Sequence, residues 1–319
     1  VPESSLQDRY SLLLATMVGI AERHHYQGRL DDALKLLDAA SAVSEAAEAP
    51  PAASARVLVL RGRILVSRVF VENQGQELAK HVLQDGMRAA RGQGDEITRA
   101  DAMDQLGLLS FFGTMTSGGK DYRSAQDYFE GALAMRERLR DVRGLAESHF
   151  HLGLVQERNG NDVLAEKHYR EALEIATGGG FKLEQSYAVR HLAGLAARRK
   201  EFERALELFQ KSLQLRQETG FILFMPSSLN AVGETLLSLH RTQEARTYFS
   251  RSLRLADKLG QVRISVISLI LLGDAEQTLQ RPRSAHSHFV QARERARSIG
   301  YSVGLEIASK RLDGVSAPE

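Results

Sequence analysis

A three-residue stripe recurs through the sequence at a fixed interval. Ala165, Tyr169 and Ala172 are spaced by four and three, which puts them on one side of an α-helix. The same small–aromatic–small stripe returns forty residues later as Ala205, Phe209 and Ser212, then as Ala245, Phe249 and Ser252, then as Ala285, Phe289 and Ala292. Forty residues upstream stand Ala125, Phe129 and Ala132, and two looser copies precede them: Ala79, Leu83, Gly86 and Ala33, Leu37, Ala40. Small residues let one helix nest against its neighbour while the ring fills the gap between them. Fixed self-similarity on this scale means stacked supersecondary units, each packed only on its neighbours.

The stretch from Ala146 to Thr177 shows the whole unit: two amphipathic helices joined by a turn at Asn159-Gly160-Asn161. Gly178-Gly179-Gly180 ends the second helix, and Gly220, Gly260 and Gly300 hold the same place at forty-residue steps. Glycine there accepts the left-handed backbone of a helix stop. The pattern predicts seven helix pairs, at about 10–49, 53–91, 96–140, 144–177, 182–218, 226–258 and 264–299, with a capping helix at 301–312. Residues 1–9 and 313–319 read as tails, giving one domain over 10–312. Pro50-Pro51 is expected to stop a helix. Gly62 to Ala79 and Gly107 to Ala125 span 17 and 18 residues, against 12 from Gly153 to Ala165. The extra residues fall near 71–75 and 115–120, so two enlarged turns are expected side by side.

Length alone, at 319 residues, would suggest two globular domains; the repeat overrides that prior. The 42 basic and 40 acidic side chains nearly balance, against the concentrated basic face a nucleic-acid binder needs. There is no cysteine, hence no disulfide or thiolate metal site. No apolar run approaches the ~20 residues of a membrane span, and no signal peptide opens the chain. The expected compartment is the cytoplasm. The first residue is Val, which suits a fragment or a processed product.

Tests for chemistry return little. The segment from Gly113 to Lys120 faintly resembles a phosphate-binding loop, but Asp121 follows the lysine and no strand precedes it. His149/His151 and His286/His288 are two apart, about 200° around a helix, so neither pair can clamp one ion. The helical zinc motif with histidines four apart is absent. Carboxylates mostly face Arg or Lys along helices, as in Glu201/Arg204 and Glu294/Arg297. The reading assigns no catalytic residue, no metal ligand and no cofactor.

Leu152-Gly153, Leu106-Gly107, Val232-Gly233 and Leu272-Gly273, with the stripes above, resemble the two-helix signature of the tetratricopeptide repeat (TPR) over roughly residues 15–312. The family's period is about 34; here it is 40, so each helix is expected to gain close to a turn. The resemblance implies an all-α, right-handed superhelical solenoid of about seven TPR-like helix pairs with a C-terminal cap. In this family the first helices line a groove that takes a peptide or another protein. Carried over, that face includes Arg56 and Arg63, then Asp101 and Asp104, then Glu147, Phe150 and Arg158, then Tyr187, Arg190 and Arg198, then Asn230 and Glu234, then Asp274. The arginines suit carboxylates and carbonyls. The lysine and asparagine set that clamps chaperone tails in some members is missing. A second candidate is the apolar lead-in Phe221, Ile222, Leu223, Phe224, Met225, since contiguous exposed apolar surface marks interfaces; Phe221, Phe224 and Met225 are its interface residues.

The forty-residue units, the Leu-Gly first helices and lead-ins such as the run from Arg138 to Gly144 also resemble the sensor domain of STAND-type bacterial regulators, including LuxR-type transcription factors. That implies a partner-sensing repeat domain whose ATPase and DNA-binding modules lie outside the segment, since it has no Walker motif. A freestanding adaptor or peptide receptor is the alternative. Expected partners are a protein or peptide, with a small-molecule inducer and a homodimer as further options, and neither nucleic acid nor membrane.

Overall fold

A computed structural model describes residues 5–46, 51–72 and 74–315. Its described residues form fifteen helices and no strand. They are α1 (Leu6–Tyr26), α2 (Leu30–Ala46), α3 (Pro51–Glu72), α4 (Gln76–Gln93), α5 (Glu96–Thr116), α6 (Arg123–Leu139), α7 (Val142–Arg158), α8 (Asp162–Gly178), α9 (Lys182–Arg198), α10 (Phe202–Thr219), α11 (Met225–Ser238), α12 (Thr242–Lys258), α13 (Val262–Thr278), α14 (Pro282–Ser298) and α15 (Ser302–Asp313). This is the all-α solenoid of seven helix pairs and a last single helix that the stripe predicts. The chain divides into two compact units, Val1–Ala188 and Val189–Glu319, the division falling inside α9.

Within each unit the stripe does the packing. Phe129, Tyr169, Phe249 and Phe289 are fully buried. Each ring lies where a side chain would otherwise stand on the first helix of its pair. A Cβ built on Gly107, Gly153 or Gly233 would come within 2.5, 2.4 or 2.3 Å of the ring edge. Glycine is thus a packing residue here, the counterpart of the ring. In the fifth pair Ala193 stands at that position, and its partner Phe209 keeps a sliver of exposure. Along α1, α3, α5 and α7 of the first unit, and along α11, α13 and α15 of the second, successive first helices also touch one another directly.

The helix stops follow the forty-residue rule. Gly180, Gly220, Gly260 and Gly300 have φ of 69°, 70°, 66° and 65°. Arg140 closes α6 in the same conformation, at φ 55°. Inside the pairs, Gly160 at φ 79° is matched by Lys200, His240 and Gln280 at 63°, 58° and 57°. Three of these four inner turns, in the last four pairs, therefore hold a side chain in the left-handed region, which costs roughly 1–2 kcal/mol each.

Several details differ from the sequence reading. The first helix starts at Leu6, inside the expected tail, because Ser5 and Asp8 form a reciprocal capping box. The extra residues mostly lengthen helices: α3 and α5 run 22 and 21 residues against 17 for α7 and α8. The ends of these two helices lie side by side, with the Phe70 and Phe112 rings 4.9 Å apart. The segment resembling a phosphate loop begins as the last turn of α5. Pro50 lies outside the described residues, while Pro51 opens α3. Beyond α15, Val315 folds back onto Ala285 and Phe289, and Arg311 on α15 holds Asp274 at 2.6 Å.

Among the described residues, no helix is long and apolar enough to cross a membrane.

Candidate partner-binding face

In the first unit, the face shared by α3, α5 and α7 carries a charged network centred on Arg136. This side chain comes from the second-helix layer, on α6, and is completely buried. Its Nη2 donates to Asp101 Oδ1 at 2.7 Å and to Glu147 Oε2 at 3.3 Å. Its Nη1 donates to Asp104 Oδ1 at 3.2 Å, to Ser148 Oγ at 2.7 Å and to the carbonyl of Gly144 at 3.0 Å. Gly144 makes room for it: a Cβ there would sit 2.5 Å from Arg136 Nε. Arg63, from α3, donates to both Glu147 oxygens at 3.2 and 3.1 Å. His151 places Nδ1 3.0 Å from Asp104 Oδ1 and stacks on the Phe129 ring.

Two guanidiniums therefore face three carboxylates. Burial pushes Asp104 up, but His151 and Arg136 outweigh it and hold the carboxyl at about 2. Burial likewise raises Glu147, and Arg63 and Arg136 bring it below its ordinary value. Asp101 goes the other way: burial raises it, and Arg136 and Arg63 offset only part. The Arg63 guanidinium is held charged chiefly by Glu147. Buried charges of this kind persist only when paired and hydrogen-bonded.

Beside the network, Phe150 on α7 stacks with Tyr187 on α9, ring centroids 5.4 Å apart. Arg56 is exposed and reaches Asp95 at 3.3 Å. Arg158 is exposed at the end of α7, its Nη2 3.2 Å from Met115 Sδ. Of the expected first-helix residues of this unit, Arg63, Asp101, Asp104 and Glu147 meet in the network, where Asp104 is wholly buried and Arg63 and Glu147 are already each other's partners; Phe150 is buried against Tyr187, and Arg56 and Arg158 make their contacts outside the network. Arg143, on the same helix as Glu147, donates to Glu184 at 2.7 Å.

In the second unit, Arg190 on α9 and Glu234 on α11 are electrostatic partners. Burial raises the Glu234 carboxyl and Arg190 counters it. Arg198 is exposed at the end of α9. Asn230 was expected to reach a ligand; it is buried instead, donating to Ser268 Oγ at 3.0 Å. The apolar lead-in also turns inward. Phe221 and Leu223 are each 1% exposed, so Phe221 is core and not an interface residue, while Phe224 and Met225 are half-buried. The cause is Pro226 at the start of α11. Its ring would clash with the carbonyl four residues back, so the helix starts late and residues 221–224 fold over its end. Gln261 caps the carbonyl of Leu223 at 2.8 Å, and Arg216 that of Phe224 at 3.1 Å.

Sequence reasoning missed Arg136 and Arg216. The signal was present: both stand in register with Ala176, Ala256 and Ala296, buried small residues of the second-helix layer. An arginine at such a position must bring its partners with it. Each finds a serine twelve residues on, Ser148 at 2.7 Å and Ser228 at 2.6 Å, and a carbonyl eight residues on.

A tetratricopeptide-repeat family model matches residues 104–178 and again 224–298. A second tetratricopeptide-repeat model matches 188–219, and together they span more than half of the chain. No curated protein sequence matches it. Among solved structures, NprR in complex with its cognate peptide NprX is similar, with a TM-score of 0.62 at 12% identity over 96% of this chain and 84% of that one. A Rap protein complexed with Competence and Sporulation Factor gives 0.57 at 12% identity, over 94% and 97%. The STAND protein with a tetratricopeptide repeat sensor from Pyrococcus horikoshii gives 0.60 at 13% identity over 95% of this chain, which spans 47% of that protein. At these identities the structures speak for the fold. With forty-residue helix pairs, ring-on-glycine packing and family models over most of the repeats, the chain belongs to the tetratricopeptide-repeat family.

Proposed function

We propose that this chain is a protein- or peptide-binding scaffold that serves as the partner-sensing repeat domain of a larger bacterial signalling or transcription regulator. The carrying observation is the first-unit face, where the Phe150–Tyr187 ring pair adjoins the charged network of Arg63, Asp101, Arg136 and Glu147. The partly exposed Tyr187 ring, backed by buried Phe150, offers a peptide apolar contact, and partly exposed Arg63 and Asp101, the latter held from behind by buried Arg136, offer it oriented hydrogen bonds. The carboxylate excess favours a ligand with a basic side chain. NprR and the Rap protein, similar in fold, are complexed with the cognate peptide NprX and with Competence and Sporulation Factor; the STAND protein carries a tetratricopeptide repeat sensor. The working compartment is the cytoplasm.

A freestanding receptor is the second reading, favoured by the Rap protein, whose length the chain matches over 97%. The mass of the native protein in its source cells separates the two: about 35 kDa supports the receptor, and a several-fold larger mass supports the regulator.

Binding itself is tested by selecting from a random-peptide display library and measuring the recovered peptides by fluorescence anisotropy. Peptides enriched in Lys or Arg, with affinity lost in Tyr187→Ala and in Glu147→Gln, support the face. Peptides that bind both variants as well as the parent place the site elsewhere.

A further inference from the structure

Away from the charged network, three ligand-type side chains converge between the two helices of the fourth pair. His149 on α7 meets His168 and Glu171 on α8. The two Nδ1 atoms are 3.2 Å apart. Glu171 Oε2 is 3.1 Å from His149 Nδ1 and 3.7 Å from His168 Nδ1. All three side chains are partly buried, and their donor atoms form one compact group.

These separations match the edges of a metal tetrahedron. With Zn–N and Zn–O bonds of about 2.0–2.1 Å, ligand atoms of a tetrahedral site lie roughly 3.3 Å apart. The circle through the three atoms has a radius of roughly 1.9 Å, so a point at bonding distance from all three lies just above their plane. Hydrogen bonding accounts for the cluster less well. Each neutral ring brings to Nδ1 either a proton or a lone pair. If His149 Nδ1 donates to Glu171, it has no lone pair for His168, and its one proton faces two acceptors. A divalent ion satisfies all three at once.

The surroundings agree. Burial keeps both rings below the ordinary histidine value, and Glu171 acts the other way. Glu137 acts electrostatically on His149 and Glu130 on His168, adding negative charge around the group. Lys167, 3.9 Å from the other oxygen of Glu171, is the opposing charge. The rings are 18% and 24% exposed and the carboxylate 37%, leaving a solvent side for a fourth ligand.

We propose that His149, His168 and Glu171 form a binding site for a divalent zinc-type ion, with water as the fourth ligand. Bound there, the ion staples α7 to α8. His149 stands between Glu147 and Phe150 in the sequence of α7, so the staple fixes the helix that carries both.

The test uses the full chain without a purification tag. Cobalt(II) is titrated in and followed by its visible absorption, zinc is then added as competitor, and melting is recorded with and without zinc. The expected result is one cobalt per chain with the intense visible bands of a tetrahedral site, displacement by zinc, and a raised Tm. In His149→Ala and His168→Ala the bands are lost and zinc no longer shifts Tm. Glu171→Gln keeps the shape and removes the anionic ligand; it decides the matter if a histidine variant does not fold, and it should bind cobalt about tenfold more weakly or worse. Absence of a band in the parent chain, or a band of equal strength in Glu171→Gln and the folded histidine variants, overturns the site.

Discussion

The ring of Phe289 occupies the space of a side chain on Gly273: a Cβ there would lie 2.2 Å from Cε1. Neither residue can be understood alone. The glycine lacks helix propensity, and a Cβ at this position would run into the ring as it now stands. Gly273→Ala gains roughly 1 kcal/mol of helix propensity and loses more to overpacking, typically 1–3 kcal/mol. A net destabilisation of up to about 2 kcal/mol in urea denaturation is expected. A gain in stability would show that the ring moves aside freely. Ala205→Trp, at a fully buried stripe position, should cost roughly 1–3 kcal/mol for the same reason.

The inner turns invite the opposite change. Lys200 holds φ 63° where the preceding pair has Gly160. Lys200→Gly relieves the left-handed strain, and about half of that gain returns to unfolded-chain entropy. A rise of about 0.5–1 kcal/mol is expected. A loss of stability would mean that the lysine stem contributes packing.

Arg136→Met removes the centre of the network and leaves three carboxylates without their shared cation. Breaking a buried pair from one side costs about 3–5 kcal/mol. Circular dichroism during denaturation reads this directly, and a cost below about 1 kcal/mol would class the network as solvated.

Acid should destabilise the fold well before ordinary carboxylates titrate. His25 is buried against Ser67, Nε2 to Oγ 2.8 Å, and burial, aided by Arg63, lowers it from 6.5 to about 3. Below pH 6.5 the unfolded chain takes a proton that the folded chain refuses, so this group removes roughly 1.4 kcal/mol per pH unit. The loss ends near pH 3. His149, His168 and His288 are lowered too and add to the slope. Asp104 acts later: its depressed value means that its stabilisation is complete above the ordinary carboxylate range and disappears as pH falls through about 2. Urea midpoints across the acid range should fall steadily, and more shallowly in His25→Gln. Equal slopes in the two proteins would exclude His25 as the cause.

For the second unit, a partner that meets Arg190 and Arg198 with carboxylates or carbonyls should bind about tenfold more weakly or worse to Arg190→Glu combined with Arg198→Glu, with helicity intact. Unchanged affinity by anisotropy would remove these arginines from the binding face.

The register of the array was legible because ring and small-residue spacings repeat in phase. Phe129, Tyr169, Phe249 and Phe289 all reach the core that the stripe assigns. What was not legible came from between helices. Asn230 looks like a surface amide by spacing, yet it faces Ser268, 38 residues on. The apolar lead-in looked like surplus surface until Pro226 shortened the helix and drew Phe221 inside. The histidines were weighed only within one helix, where His149 and His151 diverge; His149 finds its neighbours 19 and 22 residues later, on the returning helix. A period reports the face of a residue. It does not report which side chain of the next helix stands opposite.

The Arg136 network also bears on how such a chain can change over generations. Repeat proteins grow and shrink by copying or dropping whole units, and the forty-residue phase makes most joints interchangeable. The joint between the third and fourth pairs is different, because Arg136 on one side serves Asp101 and Asp104 behind it and Glu147 and Ser148 ahead of it. A crossover falling between them strands a charge in the interior. A duplication that keeps this junction whole avoids that cost, and one that cuts through it does not.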